Sequence, residues 1–194
     1  DQKTVKRAVP LKVIKRIKEM DFSMNPSFDF ARDMFLMSFY TRGMSFVDMA
    51  YLRKKDLQNG VLSYRRRKTG QQLFIKWEKC MQEIVDKYDT SQSNYLLPII
   101  KPFGDIDERT QYIYAAHNIN RCLKIIGKEL GLSVSLTLYV ARHAWASIAK
   151  SKNVPLSVIS EGMGHDSEAT TRIYLASLDT VAIDKANSMI LKSL

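Results

Sequence analysis

The chain has 194 residues and carries 30 Lys and Arg against 20 Asp and Glu, which gives a formal net charge of +10. This length suits one domain with a sizeable core, and no apolar run approaches the roughly 20 residues of a membrane-spanning helix. A pI of about 9.6 indicates a polyanionic partner, although composition alone fits a ribosomal or RNA-binding protein equally well. The two cysteines offer neither a disulfide framework nor metal-ligand spacing, so we expect a reducing, cytoplasmic compartment.

In chain order, residues 1–9 are basic and lack apolar periodicity, which predicts a linker. Two β-prone runs, 61–64 and 72–75, flank a Gly-containing turn and predict a hairpin. Residues 89–104 are predicted to form a loop that holds a short apolar stretch. The remaining chain has helical periodicity, with predicted helices at 10–20, 28–42, 46–52, 77–88, 107–130, 138–151, 155–161, 167–176 and 180–191. These elements predict a mainly α fold with a small antiparallel β-sheet.

The segment 136–174 holds one Arg, one His and one Tyr near predicted turns or helix starts, which suit phosphoryl chemistry on a polyanion. Arg142 follows Tyr139 by three residues on one predicted helix, so both can face the same way. A Gly-Met-Gly turn should end the next helix and present His165 rather than bury it, and Tyr174 follows nine residues later. A guanidinium can bind two phosphate oxygens, an imidazole can donate to a third, and a tyrosine hydroxyl can attack phosphorus.

These motifs, in this order, resemble the C-terminal signature of the tyrosine recombinases of the phage-integrase family. The intervals of 23 residues from Arg142 to His165 and 9 from His165 to Tyr174 agree with the spacing in that family. The sequences of residues 39–45 and 141–143 are similar to those of integrases from conjugative transposons and related mobile elements of gut-type bacteria. The matching motifs are Tyr139-Val140-Ala141-Arg142-His143, Gly164-His165, Thr170-Thr171-Arg172-Ile173-Tyr174 and Phe39-Tyr40-Thr41-Arg42-Gly43-Met44-Ser45.

The resemblance implies a catalytic mechanism that cuts and rejoins DNA strands through a 3′-phosphotyrosyl intermediate. Tyr174 would be the nucleophile, Arg142 the second catalytic arginine, and His165 the residue at the His/Trp position of the family. Lys68, at the hairpin turn, would protonate the departing 5′-oxygen. The phosphotyrosine conserves the bond energy, so we expect neither a cofactor nor a metal, and the sequence suggests no carboxylate cluster for Mg²⁺.

The resemblance also implies the domain organisation and the partners. Residues 10–194 would form a catalytic domain like that of tyrosine recombinases and type IB topoisomerases, preceded by the linker 1–9 from an N-terminal DNA-binding domain. The partner would be double-stranded DNA at recombination sites, bound by a homotetramer in the bacterial cytoplasm and nucleoid and not at a membrane. The family also allows accessory DNA-bending proteins. The tail 178–194 would be a helix that docks on a neighbouring protomer, or that packs on its own domain.

Two positions depart from the family pattern. The family usually has a histidine where this chain has Tyr139, whose phenol can still donate a hydrogen bond but is a poorer proton shuttle; packing at the helix start is an equal alternative. If Asp48 is aligned with the usual acidic residue, Ser45 occupies the position of the first arginine. We expect Arg42, one helical turn earlier, to supply that guanidinium, although it could instead neutralise a helix C-terminus.

Further DNA contacts are expected from side chains around these motifs and on the hairpin, namely Ser45, Arg65, Arg66, Arg67, His143 and Arg172. Two alternatives to a recombinase remain open. A type IB topoisomerase shares the chemistry but religates the same strand, and a DNA-binding regulator of the same fold would have a weak or dead site. Trapping a covalent protein–DNA adduct separates an enzyme from a regulator.

Overall fold

The computed structural model describes residues 8–102, 104–165, 167–176 and 181–194. Within these ranges nine α-helices and three strands follow one another nearly as the periodicity predicts, so the predicted fold class is confirmed. The helices are α1 (Leu11–Glu19), α2 (Pro26–Tyr40), α3 (Phe46–Ala50), α4 (Lys79–Asp86), α5 (Glu108–Glu129), α6 (Leu138–Ser151), α7 (Leu156–Met163), α8 (Glu168–Ala176) and α9 (Val181–Lys192). None of them combines the length and apolar character needed to cross a membrane.

The ends of the predicted domain fall only partly within the described residues. Residues 1–7 of the predicted linker and 178–180 of the predicted tail lie outside them. Val9, predicted as linker, is buried in the core. The packed part of the chain therefore begins before Pro10.

The sheet has the order β1-β2-β3, with β1 at Leu57–Gln58, β2 at Val61–Arg65 and β3 at Gln72–Lys76. The β2–β3 hairpin confirms the prediction, and its alternating inward side chains are buried. Strand β1, which was not predicted, is only two residues long and turns into β2 through Asn59-Gly60. Both turn residues have positive φ, and Asn-Gly is the sequence that favours such a two-residue turn.

The main core surrounds α2, which packs against α5 and α6. The predicted loop 89–104 contributes more to this core than a surface loop would, because its apolar stretch at 95–100 is largely buried. A second, smaller cluster joins the outer face of α6 to α7 and α8. Helix α6 thus contributes residues to both clusters.

The end of α2 differs from the prediction. The helix was predicted to continue to 42, but it ends at Tyr40, and the Thr41 hydroxyl donates to the Met37 carbonyl. Arg42 and Gly43 follow with φ of 65° and 75°, in the left-handed region. Arg42 is therefore not a helical residue, and the argument that placed it one helical turn before Ser45 does not hold.

Candidate active site

Arg142, in the middle of α6, is buried and held in place by three acceptors. Its Nη1 donates to the Gly43 carbonyl at 2.9 Å and its Nη2 to the Met163 carbonyl at 3.0 Å. Nη2 also lies 3.3 Å from Nε2 of His165. Burial lowers the pKa of Arg142, and the positive charge of Arg66 lowers it further. The guanidinium is therefore fixed before any substrate binds.

Gly43 is required for this arrangement because α6 passes directly over it. A Cβ at Gly43 would lie 2.7 Å from the Arg142 Cα, and the φ of 75° is strained for any residue with a side chain. The left-handed turn at 42–43 thus brings the Gly43 carbonyl up to α6.

His165 follows Gly164, which ends α7 in the left-handed conformation. The sequence predicted that this turn would present the imidazole, whereas the structure buries it. Nδ1 lies 2.5 Å from the Thr171 hydroxyl. Because Arg142 can only donate, Nε2 must accept, and the proton is then assigned to Nδ1, which donates to Thr171. Gly164 therefore ends α7 and also lets the chain turn so that His165 points into the protein.

Tyr174 lies on α8 with its ring close to two histidines. Its hydroxyl forms a short hydrogen bond with Nδ1 of His143, and the ring centroids of Tyr174 and His165 are 5.9 Å apart. Burial raises the pKa of Tyr174 above the ordinary tyrosine value, with Arg142 opposing the shift. Tyr174, Arg142 and His165, predicted from three separate motifs, are thus brought together.

The hairpin contributes Arg66, a residue that the sequence analysis treated only as a DNA contact. Arg66 is 6% exposed, and its Nη1 donates to the Gly164 carbonyl at 3.0 Å. The Thr69 hydroxyl donates to the same carbonyl at 3.0 Å. A Cβ on Gly164 would lie 2.8 Å from Leu73 Cδ1, so the hairpin packs directly on the turn that carries His165.

The other basic residues of the hairpin point outward. Arg65 and Arg67 are exposed, and the Arg67 guanidinium stacks 3.9 Å above the Tyr51 ring. Lys68 is exposed at the tip of the hairpin, between the two residues that bind Gly164. Its position beside the site agrees with the predicted role, which stays a prediction.

Arg42 is not brought to the site. Its Nη2 donates to the Phe74 carbonyl at 2.9 Å, and it lines a separate cleft with Trp145 and Glu161. Ser45, which occupies the aligned position of the first arginine, carries no charge. Its hydroxyl donates to Asp48 Oδ2 at 2.9 Å. Because the helix ends at Tyr40, the side chain of Arg42 leaves the backbone in another direction than the sequence analysis assumed.

The remaining predicted residues divide between the site and its rim. Tyr139 is 55% exposed and lines a cleft with Ser45 and Arg142, which agrees with the predicted shared face. Its ring contacts His143 edge-on at 4.9 Å. His143, expected to contact DNA, is instead buried beside Tyr174. Arg172 is exposed on α8.

The electrostatics of the site are unusual for a protein interior. Among the described residues, no carboxylate lies within 4.0 Å of the guanidinium of Arg66 or Arg142. The same residues contain no group of three His, Cys, Asp or Glu side chains that could hold a metal ion. Two buried cations that no described carboxylate contacts favour an anionic ligand.

The sequence of residues 10–180 matches the phage integrase family. The chain belongs to this family. The match favours a recombinase over the type IB topoisomerase alternative. No curated protein matches the chain in sequence.

Solved structures extend the comparison. The chain is similar to XerA recombinase at 20% identity and a TM-score of 0.64, over 96% of this chain and 66% of that chain. It is similar to the Tn1549 transposon integrase in complex with transposon right-end DNA at 15% identity and a TM-score of 0.62, over 97% and 67%. A lambda integrase tetramer bound to a Holliday junction matches at 18% identity and 0.53, over 83% and 44%. These likenesses show the fold, and the chain spans between 44% and 67% of the length of the three proteins.

Proposed function

We propose that this chain is the catalytic domain of a site-specific DNA recombinase that acts through a 3′-phosphotyrosyl intermediate. The observation that carries the proposal is the position of Tyr174, a buried phenol that bonds to His143 and whose ring lies 5.9 Å from that of His165, the imidazole next to Arg142. Arg66 adds a second buried positive charge that acts on Arg142. A nucleophile beside paired cations is the arrangement that attack on a phosphodiester requires.

The scissile phosphate would bind between the two guanidiniums. Arg66 and Arg142 repel one another in a region of low dielectric, so an anion that contacts both relieves the repulsion. A phosphodiester has two non-bridging oxygens that accept hydrogen bonds from planar guanidiniums. We therefore assign the role of the first arginine to Arg66 and no longer to Arg42, which is engaged at Phe74.

The reaction then proceeds by exchange of one ester for another. The Tyr174 hydroxyl gives up its proton to a base as its oxygen attacks phosphorus, the bond from phosphorus to the 5′-oxygen breaks, and the 5′-oxygen takes a proton from Lys68. Arg66, Arg142 and His165 stabilise the charge that develops on the non-bridging oxygens. Attack by the 5′-hydroxyl of a partner strand reverses these steps and joins the new strand.

The DNA partner and the assembly are part of the same proposal. The net charge of +10 supplies salt-dependent attraction to the DNA backbone, and the lambda integrase structure holds a tetramer on a Holliday junction. Helix α9 exposes apolar side chains that a neighbouring protomer could cover. These are Met189, Ile190, Leu191 and, just after the helix, Leu194.

Covalent trapping tests the proposal. The probe is a pool of nicked DNA duplexes with randomised cores, from which adducts that survive denaturation are recovered and sequenced. We expect the parent protein to form adducts with one enriched sequence, and Tyr174→Phe to form none while it still binds DNA. Adducts on every sequence would indicate a topoisomerase instead. Absence of adduct would indicate a DNA-binding regulator, and adduct formation by the Phe variant would place the nucleophile elsewhere.

A further inference from the structure

His143 is in direct contact with the reacting atom of the proposed nucleophile. It follows Arg142 on α6, is 8% exposed, and its Nδ1 forms the short hydrogen bond with the Tyr174 hydroxyl. The two rings lie side by side with centroids 5.4 Å apart. A general base must be within hydrogen-bond reach of the proton that it removes, and His143 meets this condition without any rearrangement.

The other imidazole of the site is engaged differently. His165 accepts from Arg142 through Nε2 and contacts Thr171 through Nδ1. Both of its ring nitrogens therefore have a partner other than Tyr174. The geometry therefore gives the two histidines different roles. His165 orients Arg142, and His143 contacts the nucleophile.

The surroundings hold His143 in a fixed orientation. Tyr139, one turn earlier on the same helix, contacts the imidazole edge-on with an interplanar angle of 71°. Among the residues that the structure describes, the titratable and charged groups near the ring include Tyr139 and Arg142 from α6, Tyr174 from α8, His165 from the turn after α7, and Arg66 from the hairpin, which acts on Arg142. These neighbours supply cations and phenols, and none of them is a carboxylate.

A base is needed because the phenol does not ionise on its own. Burial raises the pKa of Tyr174 further above neutrality than that of an exposed tyrosine. The phenolate is therefore scarce at neutral pH, and the proton must leave as the bond to phosphorus forms. A neutral imidazole is the side chain best suited to accept it.

We propose that His143 is the general base of strand cleavage, a residue role that rests on the proposed function. As the Tyr174 oxygen attacks phosphorus, its proton moves to Nδ1 of His143, and the bond from phosphorus to the 5′-oxygen breaks. The departing oxygen takes a proton from Lys68, so one proton enters and one leaves the catalytic groups. In rejoining, the imidazolium returns its proton to the tyrosine oxygen, and Lys68 recovers its own from the attacking 5′-hydroxyl.

The test is single-turnover cleavage of the duplex recovered from the randomised pool, with His143→Asn as the main variant. The Asn side chain can place a hydrogen-bond acceptor where Nδ1 lies, but it cannot take up a proton. We expect cleavage to fall by about 10²–10⁴-fold, while DNA affinity and the thermal melt stay close to those of the parent. Cleavage by His143→Asn within threefold of the parent rate would overturn the assignment.

A matched substrate separates the base from the acid. With a 5′-bridging phosphorothiolate, the leaving group needs no proton, so Lys68→Ala should recover whereas His143→Asn should remain slow. Recovery of His143→Asn on the sulfur substrate would place His143 at the leaving group and overturn the proposal. Added imidazole should also accelerate His143→Ala in proportion to its concentration. If the parent itself forms no adduct, the proposed function fails; if the parent cleaves and His143→Asn cleaves equally well, only the base assignment fails.

Discussion

Two buried arginine sites in this chain are built in opposite ways. Arg32 on α2 donates to Asp29 at 2.7 Å and to Asp33 at 2.9 Å, and Lys87 pairs with both carboxylates. Nη1 of Arg32 also donates to three carbonyls at the end of α1. Every charge in this network is balanced by the protein, so Arg32 joins α1, α2 and the segment after α4 into one unit.

The other site differs in the partners of its arginines. Arg142 and Arg66 bind carbonyls and an imidazole, and among the described residues no carboxylate is paired with either. The carbonyls orient the guanidiniums but do not neutralise them. The comparison indicates that the first site is complete as folded, whereas the second is completed by an anion.

The largest expected effect is on catalysis. Arg142→Ala should slow single-turnover cleavage by about 10³-fold and Arg66→Ala by about 10²-fold, because each removes a preorganised donor to the developing charge. Arg42→Ala is the control, since its guanidinium lies at the Phe74 carbonyl, and it should cleave within tenfold of the parent. A severe defect in Arg42→Ala with normal cleavage by Arg66→Ala would reverse our assignment of the first arginine.

The second prediction concerns stability at the balanced site. Arg32→Ala leaves the buried Asp33 and the half-buried Asp29 with only Lys87 as counter-ion, so it should lower the free energy of unfolding by about 3 kcal/mol. Urea denaturation measures this loss. The protein that remains folded should cleave DNA at the parent rate. A smaller loss of stability in Arg32→Ala than in Arg142→Ala would contradict the comparison.

A glycine pair tests the contact between the hairpin and the active-site turn. Gly164 and Gly131 have φ of 70° and 71°, but only at Gly164 would a Cβ meet neighbours, at Leu73 and Arg66. Both Ala variants should lose about 1–2 kcal/mol of stability through backbone strain. Gly164→Ala should in addition cleave more slowly per folded molecule, because the Cβ displaces Arg66. Equal cleavage by the two variants would show that this contact does not position the hairpin.

The smallest effect is stabilisation by a simple anion. Inorganic phosphate at ten times its dissociation constant should stabilise the parent by about 1.4 kcal/mol, measured by urea unfolding against chloride at equal ionic strength. Because phosphate also stabilises proteins without binding, the readout is the difference from Arg142→Gln, which should lack the specific gain. The same gain in both proteins would remove the evidence for an anion site.

Local signals in the sequence predicted most of the elements, and a local signal could also have found Arg66. The hairpin follows from alternating residues and a turn, and Leu62, Tyr64 and Arg66 continue one inward-facing row from β2 into the turn. Side chains of a strand alternate between its two faces, so continuing the alternation of β2 by two residues predicts that Arg66 points into the protein. The triple arginine obscured this signal, because basic runs usually face solvent.

Other errors arose where the outcome depends on distant parts of the chain. Arg42 was misplaced because α2 ends at Tyr40 and the chain turns left-handed at residues 42–43, where the Gly43 carbonyl meets Arg142, 99 residues away. His165 was predicted to be exposed because its burial depends on Arg142, 23 residues earlier, and on Thr171. The bond between His143 and Tyr174 spans 31 residues and two helices, and no local pattern encodes it.

The most direct test of the central claim removes the negative charge of the scissile phosphate. In a methylphosphonate substrate, one charged non-bridging oxygen at the scissile position becomes a methyl group, so less positive charge is needed in the transition state. If Arg142 and Arg66 balance that charge, Arg142→Ala and Arg66→Ala should lose far less cleavage relative to the parent on methylphosphonate than on phosphate DNA, and Arg42→Ala should behave alike on both. An equal loss on the two substrates would contradict the claim that these arginines are held in the protein to neutralise the scissile phosphate.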